Sequence, residues 1–188
     1  MQNEFLPAGI SKILHSAFCI LHFPGVSDMQ TVQLICVGKL KEKFYADACA
    51  EYVKRLGAYC KLSLLELPEE RLPDKPSQAQ IDAALDKEGD RILGKIPAGS
   101  VIIALCVEGQ TLSSEELAAR LDKWTVQGNS QFVFLIGGSY GMHPKVKERA
   151  ALRLSMSPMT FPHHLARVMV LEQIYRAFKI NEGSNYHK

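Results

Sequence analysis

The sequence lacks several features that would assign it to a specialised class. Its five cysteines are widely spaced and form no CxxC pair, so neither a zinc site nor a disulfide framework is indicated. No stretch approaches the roughly 20 apolar residues of a membrane-spanning helix. The formal net charge is only +2, which does not indicate a uniformly basic nucleic-acid binder. We therefore expect a globular protein of a reducing, cytoplasmic compartment, with no metal and no membrane contact.

The first 28 residues differ from the rest of the chain. An apolar stretch at residues 18–23 ends at a Pro-Gly pair, and Met29 stands directly before a strand pattern. A secretory signal is the alternative, but histidines interrupt the apolar stretch and no small-x-small cleavage site follows. We expect residues 1–28 to be an extension outside the functional chain, and residues 29–188 to form a single domain.

The remainder alternates between short apolar runs and helical spacing. Apolar, β-branched runs predict buried strands at Thr31–Val37, 61–67, 101–107, 131–136 and 152–157. Helical spacing predicts helices from Lys43 to Gly57, over 80–96, from the Ser113/Glu116 capping box to about Trp124, and over 163–178. We expect Gly57 to end the first helix in a left-handed conformation. The alternation predicts an α/β fold with a mainly parallel sheet flanked by helices.

A glycine-rich turn is the first candidate for ligand binding. Gly137–Gly141 follows a buried strand and precedes Pro144, a favourable first helical residue. Ligands of parallel sheets bind beyond the carboxyl ends of the strands. The spacing matches neither a dinucleotide fingerprint nor a phosphate loop. A tight turn with a purely structural role is the alternative.

A proline-containing loop is the second candidate. Residues 157–164 place two prolines around polar residues before a long helix, and prolines fix the backbone direction. Such a loop can present carbonyl and amide groups to an adenine ring, with Met159 and Phe161 as apolar walls. A stiff connector is the alternative.

The long helix that follows is apolar on nearly every side, which predicts burial on two faces and a symmetric dimer. His163, His164 and Arg167 share one face near its start. The fixed charge of Arg167 suits a phosphate or a developing anion. Glu172 and Arg176 have the spacing of a helical ion pair.

The last residues are polar and aromatic. Tyr186 is able to stack on a base, and His187 to titrate near neutral pH. Fraying of the terminus is the alternative.

From Met29 to Lys188 the chain resembles the ribosomal RNA large-subunit methyltransferase H family, of the SPOUT class. The resemblance rests on VGKLKEK (37–43), FVFLIGGSYG (132–141), MTFPHHLARV (159–168), EQIYRAF (172–178) and the final YHK. It implies a C-terminal trefoil knot, S-adenosylmethionine as methyl donor and a homodimer. It also implies methylation of N3 of a pseudouridine in 23S ribosomal RNA, in the helix 69 region, on assembled ribosomes.

The resemblance implies the cofactor-binding residues as well, and the chemistry of the matched residues indicates catalytic and RNA-binding roles. The cofactor would be bound by Leu105, Gly137, Met156, Ser157, Pro158, Met159, Thr160 and Phe161. The catalytic residues would be His163, Arg167, Tyr186 and His187, with Arg167 stabilising the imide anion and Tyr186 or His187 orienting the base or relaying its proton. RNA contacts would come from Lys39, Lys41, Lys43, Arg167, Arg176, Lys179 and Lys188. A non-catalytic ribosome-binding or assembly module is the alternative. A nucleotide hydrolase is disfavoured because no metal-carboxylate set is present.

Overall fold

The computed structural model describes residues 29–184 and Tyr186, so the predicted extension at 1–28 lies outside the described residues. The strands are β1 (Thr31–Val37), β2 (Lys61–Leu67), β3 (Val101–Thr111), β4 (Gln131–Ile136) and β5 (Leu152–Ser155). The helices are α1 (Lys43–Leu56), α2 (Gln78–Leu93), α3 (Ser114–Val126), α4 (Pro144–Glu148) and α5 (His163–Asn181). The strands form one sheet in the order β2-β1-β4-β3-β5, and every neighbouring pair is parallel. The predicted parallel α/β architecture is confirmed.

Helices cover both faces of this sheet. Alternate strand residues such as Leu34 and Phe134 pack against α1, α3 and α5 on one face. Their neighbours, such as Ile35 and Leu135, pack against α2 and α4 on the other. Because both faces are covered, β1 and β4 in the middle of the sheet consist almost entirely of buried residues.

Local capping chemistry explains where two of the helices begin. The predicted box at Ser113 and Glu116 is present, and α3 begins there. A second box joins Ser77 and Gln80, so α2 begins at Gln78, two residues earlier than its apolar spacing predicts. The prediction that Gly57 adopts a left-handed conformation is wrong, because Gly57 has a φ of −58° and a ψ of −19°, which are right-handed helical values.

Strand β3 is longer than its apolar run predicts. Leu105 and Gln110 both lie opposite Leu154 of β5. The residues between them are therefore unpaired with β5 and form a long bulge in β3. Glu108 and Gly109 are part of this bulge, and β3 resumes pairing up to Thr111.

The parallel arrangement brings the carboxyl ends of all strands of the sheet to one edge. The glycine turn after β4, the bulge of β3 and the loop after β5 meet there, because β3 lies between β4 and β5. No helix among the described residues is long and apolar enough to cross a membrane. The trefoil knot stays a prediction.

We predict that the core depends strongly on Phe134. Phe134 is 1% exposed in the middle of the sheet, whereas Phe44 is 64% exposed. Phe134→Ala should lower the free energy of unfolding by about 3–5 kcal/mol, because it leaves a cavity. Phe44→Ala removes the same atoms at the surface and should change it by less than about 0.5 kcal/mol. Urea unfolding of both variants measures this, and equal losses would contradict the assigned core.

Candidate active site

A cavity of about 790 Å³ lies at the carboxyl edge of β3, β4 and β5. Its walls are the bulge of β3, the glycine turn, the loop after β5 and the first turn of α5. Of the residues predicted to bind a cofactor, those in the walls are Leu105, Gly137, Met156, Ser157, Met159, Thr160 and Phe161. Pro158 belongs to the same loop but does not line the cavity. The structure thus brings together segments that are far apart in sequence.

The glycine turn closes tightly on itself. The Gly141 amide donates to the Gly138 carbonyl at 3.0 Å, and Gly141 has a φ of +86°. A Cβ on Gly137 would lie 2.3 Å from the Gly141 carbonyl oxygen. Glycine is therefore required at 137 for space and is favoured at 141 for conformation. The backbone of the turn forms one wall of the cavity.

The loop after β5 is held by serines. The Ser155 hydroxyl donates to the Ser157 carbonyl at 3.0 Å, and the Met159 amide donates to the Ser157 hydroxyl at 3.0 Å. Pro162 then precedes the first residue of α5. These bonds and the fixed φ of proline order the loop while Met159 stays 70% exposed.

The β3 bulge places a charged pair in the cavity wall, which the sequence did not predict. Lys147 of α4 donates from Nζ to Glu108 Oε1 at 2.5 Å, and both residues line the cavity. The hydrogen bond from Lys147 holds the pKa of Glu108 below its ordinary value. Since the strand pattern ends before Glu108, no local feature of the sequence indicates this contact.

Glu69, in the loop after β2, is a second residue that the sequence did not reveal. The Ser139 amide of the glycine turn donates to Glu69 Oε1 at 3.0 Å. Burial raises the pKa of this carboxyl, but the Ser139 hydrogen bonds outweigh it, so the pKa lies below its ordinary value. A Cβ on Gly138 would lie 3.0 Å from the same oxygen. Glu69 therefore holds the glycine turn in place, although β1 lies between β2 and β4 in the sheet.

His163, one of the predicted catalytic residues, lies in the cavity wall. Burial lowers its pKa, and the neighbouring charges of His164 and Arg167 lower it further. The imidazole is therefore mainly neutral at pH 7. His164 also lines the cavity, with its ring centroid 4.0 Å from that of His163.

Arg167 lies behind the cavity rather than in its wall. It is 4% exposed. Its Nη1 donates to Glu66 Oε1 at 2.6 Å, and its Nη2 donates to the Gly38 carbonyl at 2.8 Å. The guanidinium is thus already paired with a carboxylate and a carbonyl at the ends of β2 and β1.

The remaining predicted catalytic residues lie elsewhere. Tyr186 packs edge-on against Tyr175 at 5.1 Å, and the Arg176 guanidinium carbon is 4.9 Å from the Tyr186 ring centroid. Tyr175 is twelve residues beyond His163 on α5, a distance of about 18 Å along the helix. His187 lies outside the described residues. Within one chain, Tyr186 and the cavity are therefore separate.

The other cations proposed to contact RNA divide into two groups. Arg176 forms the predicted ion pair with Glu172 at 2.5 Å, and Lys179 is paired with Glu182 at 2.6 Å. Lys39 and Lys41 are exposed in the loop between β1 and α1. Lys188 lies outside the described residues.

The chain as a whole is similar to a known class of methyltransferases. A family model described as "Predicted SPOUT methyltransferase" matches residues 29–187. The chain therefore belongs to the SPOUT methyltransferase family, and the predicted resemblance is confirmed at this level.

Two curated relatives carry the name "Ribosomal RNA large subunit methyltransferase H", from Streptococcus thermophilus strains CNRZ 1066 and ATCC BAA-250 / LMG 18311. Each is 51% identical over 157 residues, covering 84% of this chain and 99% of the relative.

Two solved structures are also similar. A probable methylase family protein from Haemophilus influenzae Rd KW20 is 12% identical, with a TM-score of 0.47 over 85% of this chain and 71% of its own. A probable methyltransferase from Bordetella pertussis Tohama I is 16% identical, with a TM-score of 0.48 over 80% of this chain and 95% of its own. At these scores neither structure carries an argument about this chain.

We predict unequal roles for two glycines of the turn. Gly137→Ala should lower the free energy of unfolding by about 2–3 kcal/mol, because the new Cβ meets backbone that cannot move alone. Gly141→Ala meets no atom within 4 Å, so only the left-handed conformation opposes it, at about 1 kcal/mol. Urea unfolding compares the two variants. A Gly137→Ala variant as stable as Gly141→Ala would show that the turn is looser than described.

Proposed function

We propose that this chain transfers a methyl group from S-adenosylmethionine to N3 of a pseudouridine in 23S ribosomal RNA, in the helix 69 region. The observation that carries the proposal is the cavity, since all predicted cofactor residues except Pro158 meet in its walls. The name shared by the 51% identical relatives supports ribosomal RNA of the large subunit as substrate. We propose that the reaction takes place in the cytoplasm on assembled ribosomes.

The cavity suits the proposed cofactor in size and in chemistry. Its volume of about 790 Å³ falls within the usual range for small-molecule sites. Leu105, Met156 and Phe161 supply apolar surface for an adenine ring, and the backbone of the glycine turn supplies polar groups. Glu108 and Lys147 add a carboxylate and an ammonium that complement an amino-acid group. When bound, S-adenosylmethionine supplies an activated methyl group on a sulfonium.

His163 is the residue best placed to take the proton from the target base. The imide N3–H of the base is a weak acid and must lose its proton as the methyl group arrives. His163 lines the cavity, and burial lowers its pKa. A neutral imidazole nitrogen is therefore available at pH 7 to accept that proton. We assign His163 as the general base.

For Arg167 we propose a positioning role in place of direct contact with the anion. Its Nη1 and Nη2 already donate to Glu66 and to the Gly38 carbonyl, and the buried guanidinium lies outside the cavity wall. Arg167 fixes the start of α5 against the ends of β1 and β2, and so places His163 one turn away. Its positive charge also helps to keep His163 neutral.

A catalytic role for Tyr186 requires a second copy of the chain. Tyr186 packs near the far end of α5, so it is separate from the cavity of its own chain. The half-buried Leu165, Val168 and Met169 leave an apolar face on α5 that a second copy would cover. We propose a homodimer in which the terminus of one copy completes the site of the other.

The test measures cofactor binding and methyl transfer together. Calorimetry should detect S-adenosylmethionine binding, and tritiated methyl should enter assembled ribosomes more readily than free RNA or isolated subunits. His163→Gln should lower kcat about a hundredfold or more with cofactor affinity unchanged. The matched His143→Gln variant, at the start of α4 and outside the cavity, should keep the wild-type kcat.

The pH dependence of kcat tests the assignment of His163 as the general base. The pKa of His163 is depressed, so the rate should be level at neutral pH and fall only as the pH drops below about 6.5, the unperturbed value. His163→Gln should remove this acidic limb. A protein that binds ribosomes but neither binds the cofactor nor transfers methyl would be a ribosome-binding module instead.

A further inference from the structure

A series of aromatic rings leads from the cavity wall to the protein surface. The ring centroids of His163 and His164 are 4.0 Å apart, those of His164 and Tyr45 are 6.1 Å apart, and those of Tyr45 and Phe44 are 4.2 Å apart. These spacings lie within or near the range of direct ring contact. His163 and His164 line the cavity, whereas Tyr45 and Phe44 do not. We call these four residues the ring series.

The outer end of the ring series is open to solvent. Phe44 is 64% exposed, more than any other phenylalanine or tyrosine among the described residues. It lies in the first turn of α1, directly after the loop that leaves the carboxyl end of β1. Phe44 therefore lies at the same edge of the sheet as the cavity mouth. A single exposed aromatic residue is common by itself. The residues around Phe44 therefore decide whether it indicates a binding surface.

The surroundings of Phe44 include exposed lysines. Lys39 and Lys41 are exposed in the loop before α1, and Lys43 pairs with Asp47 at 2.8 Å. The Glu42 carboxylate lies on the side of His164, with its Oε2 3.1 Å from the His164 Nδ1. Exposed lysines beside an open aromatic ring have the chemistry of a single-stranded nucleic-acid surface, on which cations contact phosphates and rings stack on bases.

The loop that carries these lysines is held from inside the protein. Glu66 Oε1 accepts hydrogen bonds from the Leu40 amide at 2.8 Å and from Arg167 Nη1 at 2.6 Å. Gly38 has a φ of +90°, and a Cβ there would lie 3.1 Å from His163 Cε1. The loop is thus packed against the cavity wall. Little conformational freedom would be lost when a ligand settles on it.

We infer that Phe44 is a base-stacking residue that receives an unpaired nucleotide next to the methylation target, while Lys39 and Lys41 contact its phosphates. This inference rests on the proposed function for its RNA substrate and goes beyond it by naming the surface that holds the flanking nucleotide. Single-stranded RNA fits because its bases are free to stack, whereas bases in a duplex are not.

The test uses a short fluorescein-labelled single-stranded oligoribonucleotide, a duplex of the same sequence, and assembled ribosomes as probes. Phe44→Ala should weaken binding to the single strand and to ribosomes by about five- to hundredfold, as expected for the loss of one stacked base. Phe44→Trp should retain binding, and its tryptophan fluorescence should be quenched on addition of RNA. Val126→Ala, which trims another exposed apolar side chain, should bind like the wild type.

The lysines are tested through salt dependence. The slope of log Kd against log salt concentration should fall by about one for each of Lys39→Ala and Lys41→Ala. Lys61 is the first residue of β2, at the edge of the sheet opposite the cavity. Lys61→Ala should therefore leave the salt slope unchanged. Calorimetry with S-adenosylmethionine should give the wild-type affinity for the Phe44 variants, because Phe44 is outside the cavity.

The outcomes separate this inference from the proposed function. Wild-type affinity of Phe44→Ala for RNA and ribosomes, or a preference of the wild type for the duplex, would overturn the stacking role alone. A wild-type protein that binds none of the three probes would overturn both the RNA substrate and this inference.

Discussion

The buried guanidinium of Arg167 is the contact on which the arrangement of the site depends. It joins α5 to the carboxyl ends of two strands, through Glu66 of β2 and the Gly38 carbonyl after β1. Arginine suits this position because its planar group donates in several fixed directions while keeping its charge, which lysine cannot do. On one side of this contact lies His163 in the cavity wall, and on the other lies the lysine loop that Glu66 also holds. One ion pair therefore fixes the relative position of the proposed base and the proposed RNA surface.

Near that contact, charged side chains shift the pKa of the neighbouring His163. Burial and the charges of His164 and Arg167 lower the pKa of His163, whereas Glu69 acts in the opposite direction and at the same time accepts the Ser139 amide. The glycine turn, the histidine and the start of α5 are thus coupled through short polar contacts. Such coupling keeps the His163 imidazole mainly neutral beside the cavity, which is the condition that the proposed proton removal from a weak acid requires.

The sequence predicted features governed by local rules and missed those governed by distant contacts. Strand β1, the capping box at Ser113 and the start of α5 follow from apolar spacing and caps, and the structure has them as predicted. The β3 bulge was missed because it depends on pairing with β5, and with it the Glu108–Lys147 pair. Arg167 was recognised as important but was expected to face a substrate. Its partner Glu66 is 101 residues earlier in the chain, and no spacing rule connects the two.

We propose that Arg167 serves the site through Glu66 and not by touching the substrate. A double-mutant cycle on methyl transfer measures this coupling, with Arg167→Ala, Glu66→Ala and the double variant assayed for kcat/KM on ribosomes. If Arg167 acts through Glu66, both single variants lose similar activity and the double variant loses little more, because the same contact is already broken. If Glu66→Ala keeps near-wild-type activity while Arg167→Ala loses it, Arg167 acts on the substrate itself and not through Glu66.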